Sequence, residues 1–97
     1  MKIFYIVHGV VQGVGYRAHV RAAAQKHGIN GMVRNRRDGS VEIFAQGSAD
    51  KIREFEKDMS ISVRSGPQVF HVERFAEGSA GFKGLEDYSE FIIGETG

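Results

Sequence analysis

The order and periodicity of its segments predict an α+β protein. The expected architecture is a ferredoxin-like βαββαβ sandwich, an antiparallel sheet with two helices on one face and a short extra C-terminal strand. Three observations point there. Segments of β-branched and aromatic residues alternate with two segments of helical character. An Asp38-Gly39 pair, a strong hairpin signal, joins the second strand segment to the third. Each helical segment is bracketed by strand segments, so that hairpin links two strand–helix–strand units. With 97 residues, 41% of them hydrophobic, the chain has apolar mass for one core, and residues 1–97 are read as a single domain.

Residues 2–8, Lys-Ile-Phe-Tyr-Ile-Val-His, form the first strand segment. Gly9 to Gly15 is a glycine-punctuated loop. Tyr16 to His27 reads as a helix, with three consecutive alanines, long basic residues and Gly28 placed as a C-terminal stop. Gly31 to Arg36 is a short strand running into the Asp38-Gly39 turn. Beyond it, Val41, Ile43 and Ala45 alternate with Glu42, Phe44 and Gln46, the pattern of a half-buried strand. Ser48 is a suitable N-cap and Asp50 faces the helix dipole, while Ile52, Phe55 and Met59 make the inner face of the second helix. Ser65-Gly66-Pro67 breaks the chain before a fourth strand, Val69 to Phe75. Gly78 to Gly84 is loop, and Tyr88 to Ile93 a short fifth strand.

Composition removes several function classes. There is no cysteine, which excludes disulfides, thiolate catalysis and Cys-ligated zinc. The longest apolar run, Ile3 to Val7, is far short of the ~20 residues of a membrane helix or the ~7–15 of a secretory h-region. The expectation is a soluble, cytoplasmic chain with no membrane partner. The net charge of +1 conceals an asymmetry. Residues 1–40 carry seven bases and one acid, whereas residues 41–97 carry six bases and eleven acids, so charges of +6 and −5 cancel. Either the first half holds an anionic site or the halves interleave and mix their charges on the surface.

Two constellations carry chemistry. In Val7 to Arg17 a strand ends, a glycine-rich turn follows and a helix starts at an arginine. Backbone N–H groups in such a turn converge on an anion, the helix N-terminus adds positive charge, and Arg17 supplies a fork of donors matched to phosphate oxygens. Other readings share these residues. Gly13-Val-Gly15-Tyr-Arg-Ala18 matches the dinucleotide pattern G-x-G-x-x-A, with Asp38 downstream, but that acid falls in a hairpin turn and the chain is short for a doubly wound sheet. No Gly-Lys-Ser/Thr of a Walker loop is present. The loop could also merely turn the chain, leaving Arg17 a solvated helix residue. The second constellation runs from Gly31 to Gly47 and includes Arg34, Asn35, Arg36 and Arg37. A neutral amide in a strand is unfavourable unless it has work to do. Asn35 could hold a water and a phosphoryl oxygen together, or it could cap the turn onto Arg36-Arg37. His8, His19, His27 and His71 show no metal-ligand spacing, and no metal or cofactor is expected. Phe4, Tyr5 and Phe44 raise a non-catalytic reading, an anion- or RNA-binding ferredoxin-like domain using the arginine cluster. Against it, the third strand lacks the aromatic motif of such domains and places Glu42 beside Phe44.

Together the two constellations resemble the acylphosphatase family. Val11-Gln12-Gly13-Val14-Gly15-Tyr16-Arg17 is similar to that family's Val-Gln-Gly-Val-x-Phe-Arg, and Gly31 through Gly47 is similar to its Gly-aromatic-Val-x-Asn-x-x-x-Gly-x-Val-x-x-x-x-x-Gly. Tyr16 stands where Phe is usual and Met32 where an aromatic is usual. The resemblance implies metal-free hydrolysis of an acyl phosphate, R–CO–O–PO₃²⁻. Arg17 and the N–H groups of Gly13, Val14, Gly15, Tyr16 and Arg17 would hold the phosphoryl group, and Asn35 would position the attacking water. The implied partners are a small acyl phosphate and inorganic phosphate as product and inhibitor, with no nucleic acid and a monomeric state. The same module also occurs inside larger maturation proteins. The tail after Ile93 has no assigned role.

Overall fold

A computed structural model describes residues 1–84 and 87–97. Its elements are β1 (Lys2–Val10), α1 (Tyr16–His27), β2 (Asn30–Asn35), β3 (Val41–Gln46), α2 (Ala49–Met59), β4 (Gln68–Ala76) and β5 (Phe91–Ile93). The strands form one sheet in the order β4-β1-β3-β2-β5. β1 pairs antiparallel with β3 and β4, and β2 pairs antiparallel with β3. The expected ferredoxin-like sandwich is therefore present. Its extra strand, however, is parallel: Gly31, Met32 and Val33 lie opposite Phe91, Ile92 and Ile93. A connection from one edge of the sheet to the other brings β5 in alongside β2, and nothing local to either segment encodes that direction.

The local signals account for the helices. Gly28 ends α1 in the left-handed conformation, with its N–H turned to the carbonyls of Ala24 and Gln25. Ser48 caps α2 by accepting from the Lys51 N–H at 3.3 Å, and Asp50 sits in the first turn. Both helices cover one face of the sheet. Ile3, Tyr5, Val7, Val33, Val41 and Ile43 pack there against Tyr16, Val20, Ile52, Phe55 and Met59. The Tyr16 hydroxyl donates to the Met59 carbonyl at 2.8 Å, satisfying an acceptor that the end of α2 leaves without a helical partner. That buried bond gives a phenol a use at this position.

The opposite face is less open than the alternation on β3 predicts. Phe44 is only 3% exposed, because Phe82 and Tyr88 of the segment between β4 and β5 lie over it with ring centroids 6.0 and 5.7 Å away. Phe4, likewise buried, packs on Phe75 at 6.2 Å. Rings covered in this way are not available to stack bases. β5 is also shorter than the expected strand from Tyr88: the Tyr88 N–H turns aside to the Gln46 side chain at 2.6 Å. Among the described residues, no helix is long and apolar enough to cross a membrane.

Candidate active site

The glycine loop is shaped by what precedes it. β1 carries a bulge between His8 and Gly9, and Gly9 has a φ of +144°. A Cβ at Gly9 would meet the Gln68 carbonyl oxygen at 2.1 Å, so only glycine lets the strand lie this close to β4 while its end turns away. Further along, Gly13 and Gly15 have φ of +74° and +79°. Apart from each glycine and its chain neighbours, no atom of the described residues lies within 4 Å of a Cβ built at either, so their requirement is conformational rather than steric.

Gly15 is also the N-cap of α1. It offers no capping side chain, and the first turn contains no acid. The first backbone bond of the helix runs from the His19 N–H to the Gly15 carbonyl at 3.1 Å. The N–H groups of Tyr16, Arg17 and Ala18 thus precede any intrahelical partner, and their partial positive charge faces outward unneutralised. A cavity of about 210 Å³ lies at this point, lined by Val11, Gly13, Gly15, Tyr16, Arg17, Ala18 and Ile93. Arg17 makes no ion pair among the described residues. Val14, named with the same loop, packs its side chain partly against the core.

Asn35 ends β2 opposite Val41, on the helix-covered face that it shares with Val33. It is not among the residues lining the cavity. Its Oδ1 is buried without a hydrogen-bond partner among the described residues. The capping alternative therefore fails: the hairpin turn is held by Asp38, whose carboxylate accepts from the Ser40 N–H at 3.0 Å and from the Ser40 hydroxyl. Those bonds hold the Asp38 carboxyl below the usual carboxylate range.

Gln12 joins the two constellations, and its part was not apparent from its place in the motif. Its side-chain amide donates to the Arg36 carbonyl at 2.7 Å and to the Ser40 carbonyl at 2.8 Å. The glycine loop is thereby fastened to the hairpin directly beyond Asn35. The only foretaste in the sequence is a polar residue between two valines and a glycine.

The arginine cluster divides differently from its adjacency. Arg34 alternates with Asn35, points to the opposite face and pairs with Glu42 at 3.0 Å. It lines, with Arg36, a separate cavity of about 480 Å³ over Phe44 and Phe82. Neither residue lines the cavity at the start of α1. His8 likewise turns from the loop, meeting Glu73 at 2.7 Å and stacking on His71. His19 and His27 both reach Asp58 of α2, through its carbonyl at 2.6 Å and its carboxylate at 2.7 Å. No group of three or more metal-binding side chains gathers among the described residues.

Comparison with known proteins identifies the family and the fold. The acylphosphatase family model matches residues 3–93. An acylphosphatase of Mannheimia succiniciproducens is 38% identical over 96% of this chain and 97% of its own length. The crystal structure of acylphosphatase from Bacillus subtilis superposes with a TM-score of 0.79 at 33% identity, covering 95% of this chain and 96% of that one. The same fold recurs in the crystal structure of T. kodakarensis HypF, with a TM-score of 0.77 at 28% identity, where it spans 12% of that chain. Matched along nearly the whole chain by that family's model, relatives and fold, the chain belongs to the acylphosphatase family and is an enzyme of acyl phosphate hydrolysis.

Proposed function

We propose that the glycine loop and Arg17 bind the phosphoryl group while Asn35 positions the attacking water, and that no metal takes part. The observation that carries the reading is the buried, unpartnered Oδ1 of Asn35, fastened through the hairpin and Gln12 to a helix N-terminus without a cap. An orphaned buried acceptor costs roughly 1–3 kcal/mol, and a bound water donating to it would remove that cost.

The chemistry balances without an added base. The water oxygen forms a bond to phosphorus as the bond from phosphorus to the carboxyl oxygen breaks, and that electron pair leaves with the carboxylate. R–CO–O–PO₃²⁻ and H₂O give R–COO⁻ and H₂PO₄⁻, so both water protons can remain on phosphate oxygens. A carboxylate is a good leaving group, so the site needs mainly orientation and positive charge. Backbone donors and Arg17 supply both. The reading takes residues 1–97 as one domain, monomeric and cytoplasmic, with inorganic phosphate as product and inhibitor and no nucleic-acid or membrane partner.

The test is hydrolysis of benzoyl phosphate in the presence of chelator. Wild-type turnover should persist. Arg17→Ala should lower kcat about 10²–10³-fold and weaken inhibition by inorganic phosphate. Asn35→Ala should lower kcat comparably with phosphate inhibition nearly intact. Turnover abolished by chelator, or phosphate inhibition lost as fully as turnover in Asn35→Ala, would refute the respective assignment.

A further inference from the structure

Ile93 is an exposed apolar side chain lining the cavity that also holds Arg17 and lies at the N-terminus of α1. On β5, Phe91 and Ile93 lie opposite Gly31 and Val33 and share the helix-covered face. Phe91 is 2% exposed and packs on Phe55, yet Ile93, two residues further on the same face, is 39% exposed. The difference lies in what stands over each residue. Above Phe91 is the helix layer, whereas beside Ile93 is the cavity of about 210 Å³ that it shares with Gly13, Gly15, Arg17 and Ala18. Ala18, on the first turn of α1, is exposed as well. One wall of the cavity therefore carries donors, and another carries an isoleucine and a methyl group.

A phosphoryl dianion gains nothing from contact with isoleucine, which offers no donor and displaces the water the anion prefers. The half of an acyl phosphate that does gain is the acyl group, which leaves with the carboxylate and projects away from the donors. We infer that Ile93, with Ala18 beside it, forms an acyl subsite that favours acyl phosphates with an apolar body, aryl or branched alkyl, over small ones. This rests on the placement of the phosphoryl group proposed above. Ile92 supplies an internal comparison. It is 37% exposed on the same strand but faces the other side of the sheet with Met32.

The experiment compares benzoyl phosphate with acetyl phosphate in the wild type and in Ile93→Val, Ile93→Ala and Ile92→Ala. Ile93→Ala should lower kcat/KM for benzoyl phosphate about tenfold and for acetyl phosphate less than about twofold, since the shortened side chain withdraws apolar contact that only the larger acyl group makes. Ile93→Val should fall between, and Ile92→Ala should match the wild type on both substrates. Inhibition by inorganic phosphate, which has no acyl group, should not move in any variant. Equal losses on both substrates, or weakened phosphate inhibition in Ile93→Ala, would show that Ile93 only supports the cradle, and the inference would fall. Wild-type hydrolysis of neither substrate would instead refute the function on which it rests, and the inference with it.

Discussion

Gln12 uses one amide nitrogen to hold two carbonyls, those of Arg36 and Ser40, and both bonds cross more than twenty residues of sequence. In the proposed reaction its effect would be positional: it fastens the glycine loop to the hairpin that follows Asn35. Removing the donor leaves two part-buried carbonyls without it, a loss of about 1–3 kcal/mol. Gln12→Ala should therefore lower stability by about that amount in urea unfolding and reduce kcat more than KM. Gln12→Glu is the sharper test because it keeps the shape and reverses the polarity. At neutral pH a carboxylate would face two carbonyl oxygens, so this variant should be less stable than Gln12→Ala. The gap should close as pH falls and the acid becomes a donor. A Gln12→Glu protein as stable as wild type at pH 7 would show that these bonds hold nothing. The motif itself gives the residue type at this position. It does not give the bonds, because their acceptors are backbone atoms placed by a hairpin elsewhere in the chain. The place of Arg17 at the start of α1 was readable for the opposite reason, since a strand, a glycine turn and a helix start are consecutive in sequence.

The elements were readable wherever a local signal sufficed. Gly28 and Ser48 end and begin their helices as their chemistry dictates, and Ile52, Phe55 and Met59 are buried along one face of α2. The parallel pairing of β5, and the covering of Phe44 by Phe82 and Tyr88, were not readable, because each depends on a segment far in sequence from its neighbour. The contact between the two helices lies between these cases. Its histidines were visible, but their common target was not. Asp58 of α2 accepts from His27 at 2.7 Å, has Lys26 at 3.7 Å, and lends its backbone carbonyl to His19 at 2.6 Å. The bond from His27, then the nearby positive charges, hold the Asp58 carboxyl below the usual carboxylate range against the opposing effect of burial. A carboxyl depressed in the folded state stabilises it at pH above the unfolded-state value, and that stability is lost as pH falls through the folded-state value. Acid unfolding should thus begin below about pH 4. Asp58→Asn should flatten that part of the pH–stability curve without eliminating it, because Asp38 and Asp87 are depressed too. A slope unchanged by Asp58→Asn would show that the helix contact does not depend on the charge.

The opposed charges of the chain's two halves partly cancel across the folded molecule. Lys2 pairs with Asp87, Lys26 with Asp58 and Arg34 with Glu42, each a base of the first forty residues meeting an acid of the rest. Interleaving thus offsets half of the +6. Among the described residues, Arg17, Arg21 and Arg37 of that stretch are left without an ion pair. Arg17 and Arg21 stand four residues apart on α1, which makes them neighbours on one helix face. Arg21 is exposed and one turn from the cavity, so on the proposed placement it would act on a bound phosphoryl dianion through solvent rather than by contact. At roughly 10 Å in water, a unit charge on a dianion is worth about 0.8 kcal/mol, which is about fourfold in binding. Salt removes most of this, since the Debye length falls from about 30 Å at 0.01 M to about 8 Å at 0.15 M. KM for benzoyl phosphate should rise with ionic strength in the wild type, with kcat unchanged. Arg21→Gln should begin at low salt with KM about threefold to fourfold higher and show a flatter salt dependence, so that the two proteins converge near 0.15 M salt. If the two proteins instead run parallel at all ionic strengths, Arg21 contributes no field to the cradle, and the uncancelled charge of the first half comes down to the direct contact of Arg17.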